Sequence, residues 1–143
     1  MFVKLDVKDK GALYDLGRQG YQFNWSIASS ERSITVAAVY NGDVSGLVEY
    51  ERQPENLANY MWLIEVSDLY KGTGIAGKLL AYVGKDALEQ GFNGFFFFEA
   101  KTIYYNHFIK KYGAIPVTSH RLYFDTKATN NLISKYLEGE KYE

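Results

Sequence analysis

Three glycines fall within six residues in the stretch YKGTGIAGKLL, Tyr70 to Leu80, and a lysine stands on either side of them. A strand, a glycine-rich turn and a helix in that order make an anion site. The first helical N–H groups have no intrahelical partner, and the helix dipole adds partial positive charge at the same end. Gly72, Gly74 and Gly77, with the small Ala76, let phosphate oxygens approach the backbone, and Lys71 can add a countercharge. Thr73 and Ile75 complete the turn. Gly72, Gly77 and Lys78 also fit the P-loop pattern G-x-x-x-x-G-K-[ST], but its last place holds Leu79, where a hydroxyl should bind magnesium.

Two ligand classes compete for this turn. One is a nucleoside triphosphate with magnesium, for which FFFFE, ending at Glu99, imitates the apolar strand plus acid that helps hold the metal. Leu79 argues against it, and so does an antiparallel hairpin upstream. The residues after Glu99 are also too few for several more βαβ units. The other class is the diphosphate of coenzyme A, which backbone N–H groups can hold without metal.

The surrounding elements must position the turn. MFVKLDV alternates like a strand. KDKGALYDLGRQG reads as a short helix stopped at Gly20. YQFNWSIASSERS reads as a loop. ITVAAVY and VSGLVEYE flank Asn41-Gly42-Asp43, a strong antiparallel hairpin signal, because Asn-Gly takes positive φ cheaply. RQPENLAN connects to Tyr60–Val66, a nearly continuous apolar run expected to be a central strand buried on both faces. A helix from about Gly74 to Gln90 follows, with Ile75, Leu79, Tyr82, Val83 and Ala87 at helical spacing. Phe95 to Phe98 form the next strand, and TIYYNHFIKKYG a helix ended by Gly113. AIPVTSHRLYFD is a further strand interrupted near Pro116, and TKATNNLISKYLEG a last helix with Leu132, Ile133, Tyr136 and Leu137 on one face. The order is an α/β chain around a mixed sheet.

Composition bounds the rest. The chain has 143 residues, which suits one domain over 1–143. With 47% hydrophobic and 23% charged residues it can build a core. The net charge is -1 and no basic tract stands out, so no nucleic-acid surface is expected. Cysteine is absent, which excludes disulfides, thiolate metal sites and a Cys nucleophile and fits a cytoplasmic location. The N-terminus has no signal-like apolar stretch, and no run approaches the ~18 apolar residues of a membrane span. His107 and His120 do not make a metal site, so no metal is expected. Abundant tyrosine would suit a homodimer. Glu65 interrupts an apolar strand, and a carboxylate buried there needs a partner or a raised pKa. Glu99 ends its strand with the same ambiguity.

LIEVSDLYKGTGIAGKLL, Leu63 to Leu80, resembles the signature segment of the GNAT superfamily of acyl-CoA-dependent N-acyltransferases. The family pattern is [Q/R]-x-x-G-x-[G/A] after a strand ending in apolar-x-Val. Lys71, Gly74 and Ala76 fall on the pattern, and Ile64 and Val66 on the strand. Lys71 departs from Gln or Arg but keeps the charge. FFFFEAKTIYYNHFIKKYGA resembles the next strand and helix, and the likeness runs from Ile34 to about Val117. Phe23 to Trp25 and the chain end look similar to a little-described bacterial branch that supplies no substrate class.

The resemblance implies a GNAT-like, mostly antiparallel sheet of about six strands flanked by helices. It implies acetyl-CoA as co-substrate and a small-molecule or peptide amine as acceptor, attacking the thioester directly in a ternary complex. Main chain at Ile64, Glu65 and Val66 would bind the pantetheine arm and polarise the carbonyl. The family's acid is a Tyr four residues before the helix-ending Gly, which here is Ile109. Tyr105, one turn earlier, is the first substitute and His107 the second, with Tyr104 beside them. The base position near the start of the central strand falls on Tyr60, with Glu65 as the carboxylate alternative. A degenerate acyl-CoA sensor, a magnesium-dependent nucleotide enzyme and a protein-binding module are the competing readings.

Overall fold

The computed structural model describes residues 2–5 and 20–138. Its elements in chain order are β1 (Phe2–Leu5), β2 (Ile34–Tyr40), β3 (Asp43–Gln53), β4 (Ala58–Val66), α1 (Ile75–Glu89), β5 (Phe96–Glu99), α2 (Thr102–His107), β6 (Ile115–Pro116), β7 (Arg121–Phe124) and α3 (Thr126–Leu132). Single wide π turns prolong α2 over Phe108–Tyr112 and α3 over Ile133–Leu137. The helix expected over KDKGALYDLGRQG lies outside the described residues, apart from its stop, Gly20, whose φ is +87°.

Seven strands form one sheet in the order β1-β2-β3-β4-β5-β7-β6. Every neighbouring pair is antiparallel except β4 and β5. The seventh strand arises because residues 115–124 make a hairpin of two short strands rather than one interrupted strand. The β2–β3 hairpin turns at Asn41 and Gly42, with φ of +52° and +81°, as a two-residue primed turn requires.

One sheet face carries the main core. Leu79, Leu80, Ala81 and Val83 of α1 are fully buried with Val36, Val48, Tyr50, Phe96, Leu122 and Phe124. The opposite face carries a smaller cluster in which Tyr21 and Trp25 of the 20–33 loop cover Ala37 and Leu47.

Gly46 of β3 lies beneath the start of α1. A Cβ there would stand 2.7 Å from Ile75 Cγ2, 2.9 Å from Leu79 Cδ1 and 3.2 Å from the Glu65 carbonyl. Gly46→Val should therefore lower stability by about 2 kcal/mol through overpacking, read as an earlier urea midpoint with an unchanged slope.

β4 departs most from expectation. It is not buried on both faces: Trp62 is 39% exposed, and Leu63 to Val66 are half-buried. The register explains both facts. Tyr50 pairs with Met61 and Glu49 with Leu63, so Trp62 is the extra residue of a β-bulge. The bulge swaps faces along the strand. Asn59 and Met61 face α1, and beyond the bulge Ile64 and Val66 do so, while Leu63 and Glu65 join the loop side. β5 pairs with β4 only from Asn59↔Phe96 to Met61↔Phe98, whereas β3 follows β4 to Val66. Past the bulge, β4 and β5 splay apart.

Candidate active site

The gap between the splayed strands is a cleft of about 480 Å³. Trp62 to Val66 form one wall, and Phe98 to Lys101 the other. α2 and its π turn close it with Tyr104, His107, Phe108 and Tyr112. Lys71 and Ala76 border it at the glycine turn, and Gln22 and Phe23 at the loop side. A cleft with these borders passes from one sheet face towards the other. β5 leaves the β4 edge unpaired beyond Met61, so main-chain groups there are available to an extended ligand.

At the turn, Gly72 and Gly74 have φ of +81° and +85°, a conformation that glycine adopts without strain. The Thr73 hydroxyl donates to the Tyr70 carbonyl. Gly74 is the N-cap of α1 and offers no capping side chain, and the first turn carries no acid. The opening amides of α1, from Ile75 onward, keep their anion-binding capacity. Lys71 ion-pairs with Asp68 at 2.7 Å on the surface, and that bond above all favours its charged form. Packing accounts for the residue type at two places of the turn. Gly77 is buried beneath the Tyr136 ring, whose Cε1 and Cζ would stand 2.4 Å from a Cβ, so it has no side chain because the ring takes that space. Leu79 is a core residue. Packing thus accounts both for the P-loop match at Gly77 and for the departure from that pattern at Leu79.

The proton-transfer candidates separate. Tyr105 is not a cleft residue: it packs on the core and its hydroxyl donates to the Thr118 carbonyl at 2.7 Å. Ile109, on the same helix stripe, also packs on the core. The stripe facing the cleft is Tyr104, Phe108 and Tyr112, with His107 beside it, and the His107 and Tyr112 rings meet edge to face at 5.7 Å. Tyr60 lies on the sheet before the bulge, wedged against Trp62 and Phe97 at 4.8 and 4.9 Å. Burial first, then the charge of Glu99, raises its pKa, which keeps the phenol protonated and unavailable as a base at neutral pH. Glu65 borders the cleft, but its carboxylate accepts from Gln22 N at 2.6 Å, Phe23 N at 3.2 Å and Trp25 Nε1 at 2.8 Å. Glu99 borders the cleft and ion-pairs with Arg121 at 2.9 Å. Among the described residues no three His, Asp or Glu side chains gather as metal ligands, and no helix is long and apolar enough to cross a membrane.

A family model described as the acetyltransferase (GNAT) family matches residues 1–113. The chain belongs to the GNAT acetyltransferase family. Solved structures agree on the fold. The ribosomal-protein-S18-alanine N-acetyltransferase of Escherichia coli superposes with TM-score 0.63 at 14% identity, over 86% of this chain and 90% of that one. A GNAT-family acetyltransferase of Staphylococcus aureus Mu50 gives 0.63 at 17%, over 88% and 98%. Mutant forms of the spermidine/spermine N-acetyltransferase SpeG of Vibrio cholerae give 0.64 at 12%, over 92% and 97%. No curated protein matches by sequence.

In this GNAT chain, sequence reasoning missed Trp62 and Tyr112 as cleft residues, whereas Gln22 and Phe23 fall within Gly20–Ser33, the stretch the sequence sets beside an acceptor pocket. Tyr112 carried a usable signal, since it repeats the Tyr104 and Phe108 stripe at intervals of four. Burial first, then Tyr136, raises its phenol pKa and keeps it protonated at neutral pH. Trp62 carried none, because a bulge is a matter of register between two strands.

Proposed function

We propose that the chain, as one domain over 1–143, is a cytoplasmic N-acetyltransferase of bacterial type. It moves an acetyl group from acetyl-CoA to an amine of a small molecule or peptide by direct attack in a ternary complex. The observation that carries this reading is the splay of β4 from β5 beside an uncapped glycine turn. The turn suits a diphosphate, and the open edge of Ile64 to Val66 suits an extended amide-bearing arm. Two of the structural neighbours are named for amines, an S18 alanine and spermidine/spermine.

In this reading, main chain at the β4 edge steadies the carbonyl as it becomes an oxyanion. Tyr112 and His107 form the helix wall that can supply a proton to the departing thiolate, and Tyr112 suits a donor because it stays protonated. Glu99 is the carboxylate placed to take the amine's proton, directly or through water. Ile109, where the resemblance expects a tyrosine, favours a second reading as an acyl-CoA sensor without turnover.

Thermal shift tests the coenzyme, and thiol release with amines separates enzyme from sensor. At a hundred times Kd, acetyl-CoA or CoA should stabilise the fold by about 2.7 kcal/mol, a rise of roughly 8 °C at this size. Mg-ATP should do nothing. Stabilisation by Mg-ATP alone would instead select a nucleotide enzyme.

A further inference from the structure

Residues 20–33 cross the sheet face opposite α1 as a strap without regular secondary structure. A row of carboxylates holds it. Glu65 takes the Gln22 and Phe23 amides and the Trp25 indole. Glu49 accepts from the Ser29 amide at 2.9 Å and from its hydroxyl. Glu51 pairs with Arg32 at 2.8 Å and accepts from Trp62 Nε1 at 2.7 Å. The register orders these anchors along the strands: Glu65 lies opposite Leu47, then Leu63 opposite Glu49, then Tyr60 opposite Glu51. Of the three acids only Glu65 borders the cleft, and the two residues whose amides it holds, Gln22 and Phe23, border it too. The strap is also tied just after β4, where the Gly20 carbonyl accepts from Asp68 N at 3.4 Å.

We infer that Glu65 is a positioning residue through which β4, the strand assigned to the acyl-CoA arm, fixes where Gln22 and Phe23 stand on the acceptor side of the cleft. This rests on the acyltransferase reading. Both oxygens of the carboxylate are engaged by three N–H donors, which fits an anchor better than a base poised to accept a proton. The main chain of the same residue lies on the splayed edge, while its side chain grips the strap. One residue therefore ties the donor side of the cleft to the acceptor side. Phe23, 40% exposed, is held so that its ring meets the ammonium of Lys101 at 5.9 Å, from the opposite wall of the cleft. An acceptor entering from the loop side meets a wall whose position β4 sets.

The test compares the full chain with Glu65→Gln, which keeps the shape but puts an amide donor where an acceptor oxygen stood. Amide exchange at Gln22 to Trp25 should accelerate about tenfold or more, with exchange in α1 unchanged. The Trp25 indole proton resonance, assigned with a Trp62→Phe variant, should move upfield as its charged partner is lost. Acetyl-CoA affinity should stay within about threefold. With whichever of spermidine, an aminoglycoside or an alanine-initiated peptide releases thiol, the amine KM should rise about tenfold with kcat little changed. Unchanged exchange and an unmoved indole would overturn the inference, as would a collapse of kcat at constant KM, which would make Glu65 a catalytic residue. If Glu65→Gln does not fold, Trp25→Phe removes one of the three bonds and is read by the same exchange measurement. The exchange and indole readouts decide the inference even if no amine is acetylated. Failure of the wild-type chain to bind CoA would sink the acyltransferase reading separately.

Discussion

Gly74→Val should lower acetyl-CoA affinity about a hundredfold while leaving the fold in place. Two effects combine at this position. The backbone of Gly74 has φ +85°, where a β-branched residue is strained by about 1–2 kcal/mol. The new side chain also stands at the opening of α1, where the free amides must meet phosphate oxygens at close range. The protein has room for the first added atom. A Cβ at Gly74 would touch only the Tyr136 ring, at an ordinary 3.9 Å, so the loss should fall mainly on binding. Gly77 could not serve as the probe, because any side chain there displaces Tyr136 and loosens the C-terminal helix. Calorimetric titration with a parallel thermal melt separates binding from stability, and unchanged affinity would remove this turn from the site.

Asp86→Ala should lower stability by about 3 kcal/mol, for a different reason. Asp86 stands on α1 with a side chain only 7% exposed. Its carboxylate accepts from Arg52 Nε at 3.1 Å and Nη2 at 2.8 Å, and from Asn59 Nδ2 at 3.1 Å. Asn59 also donates to the Val83 carbonyl at 3.0 Å. One acid thus ties the helix to β3 and to β4 before the bulge, the stretch where β4 still pairs with β5. Removing it leaves a half-buried guanidinium without its counter-ion and loosens the anchor of the central strand. The melting temperature should fall by roughly 9 °C, with a matching shift in the urea midpoint. A fall below about 0.5 kcal/mol would show that the pair is solvated and contributes as an exposed ion pair does.

The two positions differ in how far the sequence reveals them. Gly74 is legible from its own neighbourhood: a glycine between an apolar strand and a helical repeat has few other uses. The Asn41-Gly42 turn, the helix Ile75–Glu89 and the stop at Gly113, with φ +82°, are legible in the same way. Asp86 reads as an ordinary polar residue on a helix, because its partners lie 27 and 34 positions away. Tyr105 and Ile109 do share one stripe, but the stripe that faces the cleft is that of Tyr104, Phe108 and Tyr112. Rotation of a helix about its axis is set by what it packs on, not by its own period.

The sequence alone determined most of the described elements, the glycine turn and the GNAT resemblance, because backbone preference and hydrophobic period act over a few neighbouring residues. Only the tertiary structure decided the faces and the gap. One bulge residue, Trp62, exchanges the faces that the β4 side chains take, and a β5 of four residues releases its edge beyond Met61. Those features belong to pairings between distant segments. They turn Glu65 from an apparent interruption of an apolar strand into the anchor of the loop across it.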